Sequence, residues 1–191
     1  MKEFAADGTQ IRKLWMFENG AYRDHLLRLD RVSRQNRFGG AVSDDYIRSY
    51  ARDTNHLDAV LYGFFVDGML RGVAELRPIG GWRSGEAEAA FSVEKEWQSH
   101  GVGSALLEQI LLAARNRGVK FLHMACLARN QRMQQLARKF DAKLRFDFDS
   151  VVGEVKASRP TPLSFVREAW SDACGFAVAL LDAQTRLMKP R

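Results

Sequence analysis

The stretch QSHGVGS, residues 98–104, decides the fold and the chemistry that this sequence predicts. It follows a strand-like segment, Glu86–Val93, and it opens the most regular helical segment of the chain, Gly103–Arg117. A glycine-rich turn at a helix N-terminus presents free backbone N–H groups to an anion, and glycine lets a phosphate approach closely because no Cβ intervenes. The stretch therefore predicts a loop that binds a pyrophosphate.

Two better-known phosphate loops do not fit this stretch. A dinucleotide-binding fingerprint needs a third glycine where Leu106 stands. A P-loop closes with Gly-Lys-Ser or Gly-Lys-Thr, which is absent here. What remains is the pattern Gln-x-x-Gly-x-Gly between an apolar strand and an apolar helix.

The segments around the loop predict a mixed α/β sheet with helices on its faces. Asp67-Gly68, the dipeptide that a type I′ turn prefers, separates the strand-like segments Ala59–Val66 and Met69–Arg77. The other predicted strands are Ile11–Phe17, Lys120–Leu127, Lys143–Phe148 with Leu144, Phe146 and Phe148 facing inward, and Val151–Val155. The other predicted helices are Ala21–Arg31, Asp44–Arg52 with Ser43 as its N-cap, Gln131–Phe140 and Leu163–Met188. This order of elements is typical of a mixed sheet flanked by helices.

Composition excludes several functional classes. The net charge is +6 and the pI about 9.6, but no block of five like charges occurs, so a nucleic-acid partner is not expected. No run of 18 apolar residues predicts a membrane span, and the N-terminus lacks the apolar centre of a signal peptide, so we expect a cytoplasmic protein. We interpret Cys126 and Cys174 as reduced, largely buried thiols, and no residue spacing indicates a metal site.

The C-terminal part of the chain is predicted to lie outside the catalytic core. We divide the chain into a domain over residues 1–157 and a linker with a long helix over residues 158–191. The helix has more apolar residues than one buried stripe requires: Leu163, Phe165, Val166, Trp170, Phe176, Leu180, Leu181 and Leu187. We expect it either to pack on its own chain or to form a homodimer, and we favour the homodimer.

The loop and its surroundings resemble the acetyl-coenzyme A signature of the GCN5-related N-acetyltransferase (GNAT) superfamily. Val93, Trp97 and Leu106-Leu107 hold positions similar to those of the family around its Gln/Arg-x-x-Gly-x-Gly/Ala motif. Asn130-Gln131-Arg132-Met133, followed by Leu136 and Phe140, resembles the family's second motif. The likeness covers residues 86–148 and extends with the hairpin to about residue 59. A closer likeness, carried in part by Arg37-Phe38 and Ser43, is to the catalytic domains of bacterial protein-lysine acetyltransferases.

The resemblance implies acetyl-coenzyme A as the cosubstrate and a primary amine as the acceptor: a protein lysine, an N-terminus or a small-molecule amine. The implied cofactor-binding residues are Phe91, Ser92, Val93, Gln98, Ser99, His100, Gly101, Val102, Gly103, Ser104 and Asn130. Backbone groups of Phe91 and Val93 would pair with the pantetheine, and the N–H of Ser92 or its neighbour would polarise the thioester. We expect His100 to contribute only its N–H, and Asn130 to serve both as helix N-cap and as cofactor contact.

Glu88 matches the position of the catalytic glutamate in the lysine acetyltransferase branches of the family. A base is needed because a lysine amine has a pKa near 10.4 and is protonated at pH 7. Glu86, on the same face of the predicted strand, is the alternative base. Many family members also carry a tyrosine acid seven residues after the Asn, but here that position is Ala137, and the Gly-Phe that follows is Asp141-Ala142. This departure leaves a non-catalytic acyl-coenzyme A sensor as the alternative function.

Overall fold

A seven-stranded sheet forms the centre of the computed structural model, with strand order β1-β2-β3-β4-β5-β7-β6. The structure describes residues 8–54, 59–156 and 159–188, apart from the side chains of Asp147 and residues 185–188. The strands are β1 (Thr9–Lys13), β2 (Val60–Val66), β3 (Met69–Pro78), β4 (Glu86–Val93), β5 (Phe121–Leu127), β6 (Lys143–Asp147) and β7 (Ser150–Lys156). All neighbours are antiparallel except β4 and β5, which are parallel. This confirms the predicted mixed sheet, which is mostly antiparallel.

Helices cover both faces of the sheet. They are α1 (Asn19–Arg28), α2 (Arg31–Phe38), α3 (Asp44–Thr54), α4 (Val102–Asn116), α5 (Gln131–Lys139) and α6 (Pro162–Met188). On one face, Leu106, Leu107 and Ile110 of α4 are fully buried in one core cluster. On the other, Leu26 of α1 and Ile47 of α3 are buried in a second cluster. The sheet is thus held between two apolar layers, as its strand sequences require.

Local signals in the sequence are confirmed at several positions. Asp67 and Gly68 both have positive φ, as a type I′ turn between β2 and β3 demands. The hydroxyl of Ser43 accepts a hydrogen bond from the N–H of Tyr46 and so caps α3. Gly118, also at positive φ, follows the end of α4.

The N-terminal elements differ from the prediction. The strand expected over Ile11–Phe17 ends at Lys13, because the Glu18 carboxylate accepts a hydrogen bond from the Trp15 N–H and closes a 3₁₀ turn. A separate helix, α2, begins at Arg31, and the helix expected over Ala21–Arg31 ends at Arg28. Asp30 breaks it because its carboxylate accepts hydrogen bonds from the N–H groups of Val32 and Ser33 and so begins α2, which was not predicted.

Two predictions of burial were wrong. Phe146 is exposed because it lies on β6, the edge strand of the sheet, and Phe148 is exposed because it falls in the turn between β6 and β7. Cys126 is buried as expected, but Cys174 is exposed because it lies on the outward side of α6.

The C-terminal helix α6 packs against β1 and α4 of its own chain through polar contacts. Glu168 accepts hydrogen bonds from Arg117 and Asn116 of the segment that ends α4, and Asp172 pairs with Lys13 of β1 at 2.8 Å. Residues 157 and 158, where the predicted domain ends and the predicted linker begins, and the side chain of Leu187 lie outside the described residues. Within the part of the chain that the structure describes, no helix is both long and apolar enough to span a membrane.

Candidate active site

A gap opens between the parallel strands β4 and β5. They pair only at three positions, from Glu86 with Phe121 to Glu88 with His123. Beyond this point β4 continues along β3, and β5 continues along β7. The two strands therefore diverge in the middle of the sheet and leave backbone groups of β4 without a strand partner.

The register of β4 decides which backbone groups face this gap. The N–H of Glu94 donates to the carbonyl of Arg71, and the carbonyl of Glu86 accepts from the N–H of Ile79, so the even-numbered residues direct their backbone groups towards β3. The alternate residues, including Phe91 and Val93, direct theirs towards the gap. The register of β3 and β4 runs without a bulge, so the N–H of Ser92 faces β3. The sequence left open whether the N–H of Ser92 or that of its neighbour would polarise the thioester. Of these two, the neighbour's N–H is the one that faces the gap.

A cavity of about 440 Å³ lies at the open end of this gap, and we call it the cofactor cavity. Its lining includes nine of the predicted cofactor residues: Phe91, Ser92, Val93, Gln98, Ser99, Gly101, Gly103, Ser104 and Asn130. The first turn of α4 forms one wall. None of the described side chains caps this helix, and the first N–H that bonds to the preceding loop is that of Ala105. The N–H groups of residues 102–104 are therefore available to an anion.

The two glycines of the loop have different roles. Gly101 has a φ of 86°, in the left-handed region that favours glycine, so the turn itself needs it. Gly103 is helical, and a Cβ there would meet only Leu136 at 3.5 Å, which is ordinary contact. The fold does not require a glycine at position 103, whereas a close approach of a phosphate to the helix start does.

The cofactor cavity also contains basic residues that sequence reasoning missed. Lys139 donates a hydrogen bond to Oγ of Ser104 at 2.9 Å, and the Arg132 guanidinium bonds to the side-chain oxygen of Gln98. Gln98 in turn donates to the carbonyl of Val93 at 2.8 Å and thereby ties the loop to the end of β4. The signal was present in the predicted helix Gln131–Phe140, whose basic residues recur on one face. Their reach to the loop depends on how α5 packs.

Two predicted cofactor residues do not line the cavity. Val102 is buried in the core below α4, and the exposed His100 directs Nδ1 to the carbonyl of Gln98 at 2.8 Å. The side chain of Val102 therefore cannot reach the cavity, whereas the backbone groups of both residues remain able to contribute. Asn130 does cap α5, since its side-chain oxygen accepts from the N–H of Met133 at 3.2 Å, and it also lines the cavity.

A second cavity, of about 480 Å³, lies on the α2–α3 side of β4. Glu88 lines it, and its carboxylate has no ion-pair or hydrogen-bond partner among the described residues. Glu86 lies outside both cavities, and its carboxylate is 3.2 Å from Nε2 of His123. Asn36 lines both cavities, which places them side by side.

A buried network forms the floor of the second cavity. The carboxylate of Glu75 pairs with Arg37 at 2.6 Å and with Arg77, and accepts hydrogen bonds from Tyr22 and Tyr50, each at 2.9 Å. Burial alone would raise the pKa of Glu75, but the charges of Arg37 and Arg77 lower it below its ordinary value. The network is therefore ionised and fixed in place.

The position of the family's tyrosine acid is closed off. Ala137 is buried, and its Cβ faces Gly153 of β7 rather than either cavity. Among the described residues no group of three or more His, Cys, Asp or Glu side chains could hold a metal ion. The chemistry available at this site is the binding of an anion at a helix start, beside a strand edge and a free carboxylate.

Comparisons with known proteins agree with this geometry. The chain is similar to the GNAT domain of S. lividans PAT, with a TM-score of 0.66 and 22% identity over 78% of this chain and 90% of that one. It is also similar to the PaiA N-acetyltransferase from Thermoplasma acidophilum in complex with coenzyme A, with a TM-score of 0.58 and 21% identity over 78% and 98% of the two chains. A third similar structure is a GNAT-family acetyltransferase from Streptococcus pneumoniae, with a TM-score of 0.59 and 17% identity over 76% and 96%.

These likenesses establish the fold, and a family model establishes the family. A search of curated proteins finds no match. The model described as "Acetyltransferase (GNAT) family" matches residues 24–142, which is more than half of the chain. The matched range includes the glycine loop, α5 and the strand β4, which lines both cavities. The chain belongs to the GNAT acetyltransferase family.

Proposed function

We propose that the protein transfers the acetyl group of acetyl-coenzyme A to a primary amine by direct attack. The observation that carries the proposal is the juxtaposition of the two cavities across β4. One presents the first turn of α4 and unpaired strand groups, and the other presents the free carboxylate of Glu88. No residue is needed as a covalent nucleophile, because an amine can attack the thioester directly.

The residues of the cofactor cavity fit acetyl-coenzyme A. The N–H groups that begin α4 would hold the pyrophosphate, with Arg132 and Lys139 close enough to add positive charge. The backbone groups of Phe91 and Val93 would pair with the pantetheine in the place of a strand. An N–H of β4 that faces the gap, at Phe91 or Val93, would polarise the thioester carbonyl. When bound, the thioester supplies the activated acetyl group.

Glu88 is proposed as the base. It would take a proton from the acceptor ammonium, directly or through a water, so that the neutral nitrogen can form a bond to the acetyl carbon while the carbon–sulfur bond breaks. The nitrogen would lose its second proton to solvent as the amide forms, and solvent would protonate the departing thiolate, because Ala137 cannot. The distance of Glu86 from both cavities favours Glu88, and Glu86 is kept as the alternative.

The test is the release of coenzyme A with a panel of amines. The proposal predicts that thiol release depends on an added amine and yields the acetylated amine by mass spectrometry. Tight binding of acetyl-coenzyme A without amine-dependent release, across peptides with free lysines, peptides with free N-termini and small amines, would instead support an acyl-coenzyme A sensor.

We also propose that the outward face of α6 binds a second copy of this chain. Its exposed residues follow steps of three and four: Leu163, Val166, Trp170, Ala173, Ala177 and Leu180. This is the spacing of a helix seam that packs against another helix. In a twofold antiparallel pair, Ala173 would meet Ala177 of the second copy, so that the axes can approach closely and Trp170 would pack near the partner's Leu180. The opposite face already packs on β1 and α4, which leaves this seam for another molecule.

A further inference from the structure

The second cavity carries opposite charges at two separate places. Arg77 of β3 lies directly across from Glu88 of β4 in the antiparallel register. Such cross-strand neighbours usually lie about 5 Å apart at Cβ and can form an ion pair. Here they do not, because the Arg77 guanidinium is turned towards Glu75, the Tyr50 hydroxyl and Thr54. The carboxylate of Glu88 is therefore left free for a cation.

The arginine side of the cavity has more positive charge than its own carboxylate neutralises. Arg37 and Arg77 share the single carboxylate of Glu75. Among the described residues, Arg37 donates hydrogen bonds only through Nη2, and Arg77 only through Nε and Nη2. The remaining N–H groups have no acceptor among the described residues, and both guanidinium groups line the cavity. A guanidinium with free N–H groups is suited to a carboxylate or a phosphate.

We infer that the acceptor is a small zwitterionic amine, with a carboxylate or phosphate a few bonds from its nitrogen. This rests on the proposed acetyl transfer and names the acceptor class for the same site. The ammonium group lies at Glu88, and the anion lies on the free donors of Arg77 and Arg37. An aromatic wall closes the cavity on the α2–α3 side and would enclose the acceptor there. It is formed by the rings of Phe38, Tyr46 and Tyr50, whose centroids lie between 5.3 and 6.1 Å apart. A cavity of about 480 Å³ is of the size that holds a small molecule.

Matched pairs of acceptors test this inference without any variant. β-Alanine is compared with β-alaninamide, and O-phosphoethanolamine with ethanolamine, by kcat/KM at low ionic strength. Charge-assisted hydrogen bonds predict that the anionic member of at least one pair is favoured about tenfold or more, and that added salt reduces the preference. The pair with the larger ratio distinguishes a carboxylate from a phosphate. Equal kcat/KM within both pairs would overturn the inference and leave acetyl transfer intact.

A variant tests whether Arg77 is responsible for the preference for the anionic acceptor. Arg77→Met removes the charge and keeps an unbranched side chain, so the ratio within the favoured pair should fall to about threefold or less, while KM for acetyl-coenzyme A stays unchanged. Arg145→Met is the matched control, since Arg145 is an exposed arginine of β6 outside both cavities. A ratio that survives in Arg77→Met, or that falls equally in Arg145→Met, would contradict the inference.

Calorimetric binding separates this inference from the proposed function. The same pairs are titrated into the protein with coenzyme A present. Selective binding of the anionic member without any turnover would support the charge assignment and contradict acetyl transfer. Equal or absent binding of both members, with turnover of other amines, would contradict the charge assignment alone.

Discussion

Oγ of Ser92 lies 2.9 Å from Nε2 of His25, which is completely buried. Nδ1 of the same ring lies 3.1 Å from Glu94. Burial would raise the pKa of Glu94, but hydrogen bonds from His25 and Arg71 lower it to about 2. Since Glu94 is ionised and can only accept, Nδ1–H donates to it, and the Ser92 hydroxyl donates to Nε2 of the neutral ring. The proton positions in this hydrogen-bonded series, Ser92–His25–Glu94, are thus fixed by burial and by the arginines around Glu94.

The buried His25 predicts a loss of stability in weak acid. Burial lowers the pKa of His25, in spite of Glu94, so the folded protein binds this proton more weakly than the unfolded chain does. Stability is therefore complete above the unfolded pKa, near 6.5, and falls as the pH decreases below it, by up to about 1.4 kcal/mol per pH unit. Urea unfolding between pH 7 and pH 5 measures this slope.

Two variants test whether His25 causes this dependence of the unfolding free energy on pH. His25→Gln should flatten it, because the group that resists protonation is gone, whereas His100→Gln should leave it unchanged because His100 is exposed. If His25→Gln keeps the wild-type slope over this range, another group is responsible.

Replacing the proposed base should slow catalysis rather than cofactor binding. Glu88→Gln is expected to lower kcat at neutral pH by about 10²–10⁴-fold, with partial recovery at high pH where the amine deprotonates without help. KM for acetyl-coenzyme A should not change, because Glu88 lies outside the cofactor cavity. Steady-state kinetics of Glu86→Gln serve as the control, and the same loss in that variant would exchange the two roles.

The sequence predicts much of this site because its signals are local. The glycine turn, the strand Glu86–Val93 and the Asn130 cap each depend on neighbouring residues, and all three are confirmed. The break at Asp30 was missed, because an aspartate inside a leucine-rich segment is also compatible with one continuous helix.

The second cavity could not be read from the sequence. Arg37, Tyr50 and Glu75 come from three elements that are far apart in the chain, and only tertiary packing brings them together. The exposure of Phe146 has a similar cause, since alternation predicts two faces of a strand but not whether other elements cover one of them.

The seam on α6 predicts a dimer that one charge can break. Trp170 is 74% exposed at the middle of the seam, and Trp170→Glu should convert a dimer to a monomer because the pair would bury two charges. Arg167→Glu, on an exposed position beside the seam, is the control and should remain dimeric. Light scattering at micromolar concentration gives the mass, and a monomeric wild-type protein would refute the dimer.

Calorimetric titration of acetyl-coenzyme A into wild-type protein and into Gly103→Val tests most directly whether the start of α4 binds the cofactor's pyrophosphate. The helix should tolerate the valine, because a Cβ at position 103 would meet only Leu136 at an ordinary distance, and circular dichroism and the melting temperature verify the fold. The predicted result is binding by the wild-type protein and, in folded Gly103→Val, an affinity lower by 100-fold or more, which corresponds to about 3 kcal/mol. Equal affinity in the two folded proteins would contradict the assignment of this cavity to the cofactor.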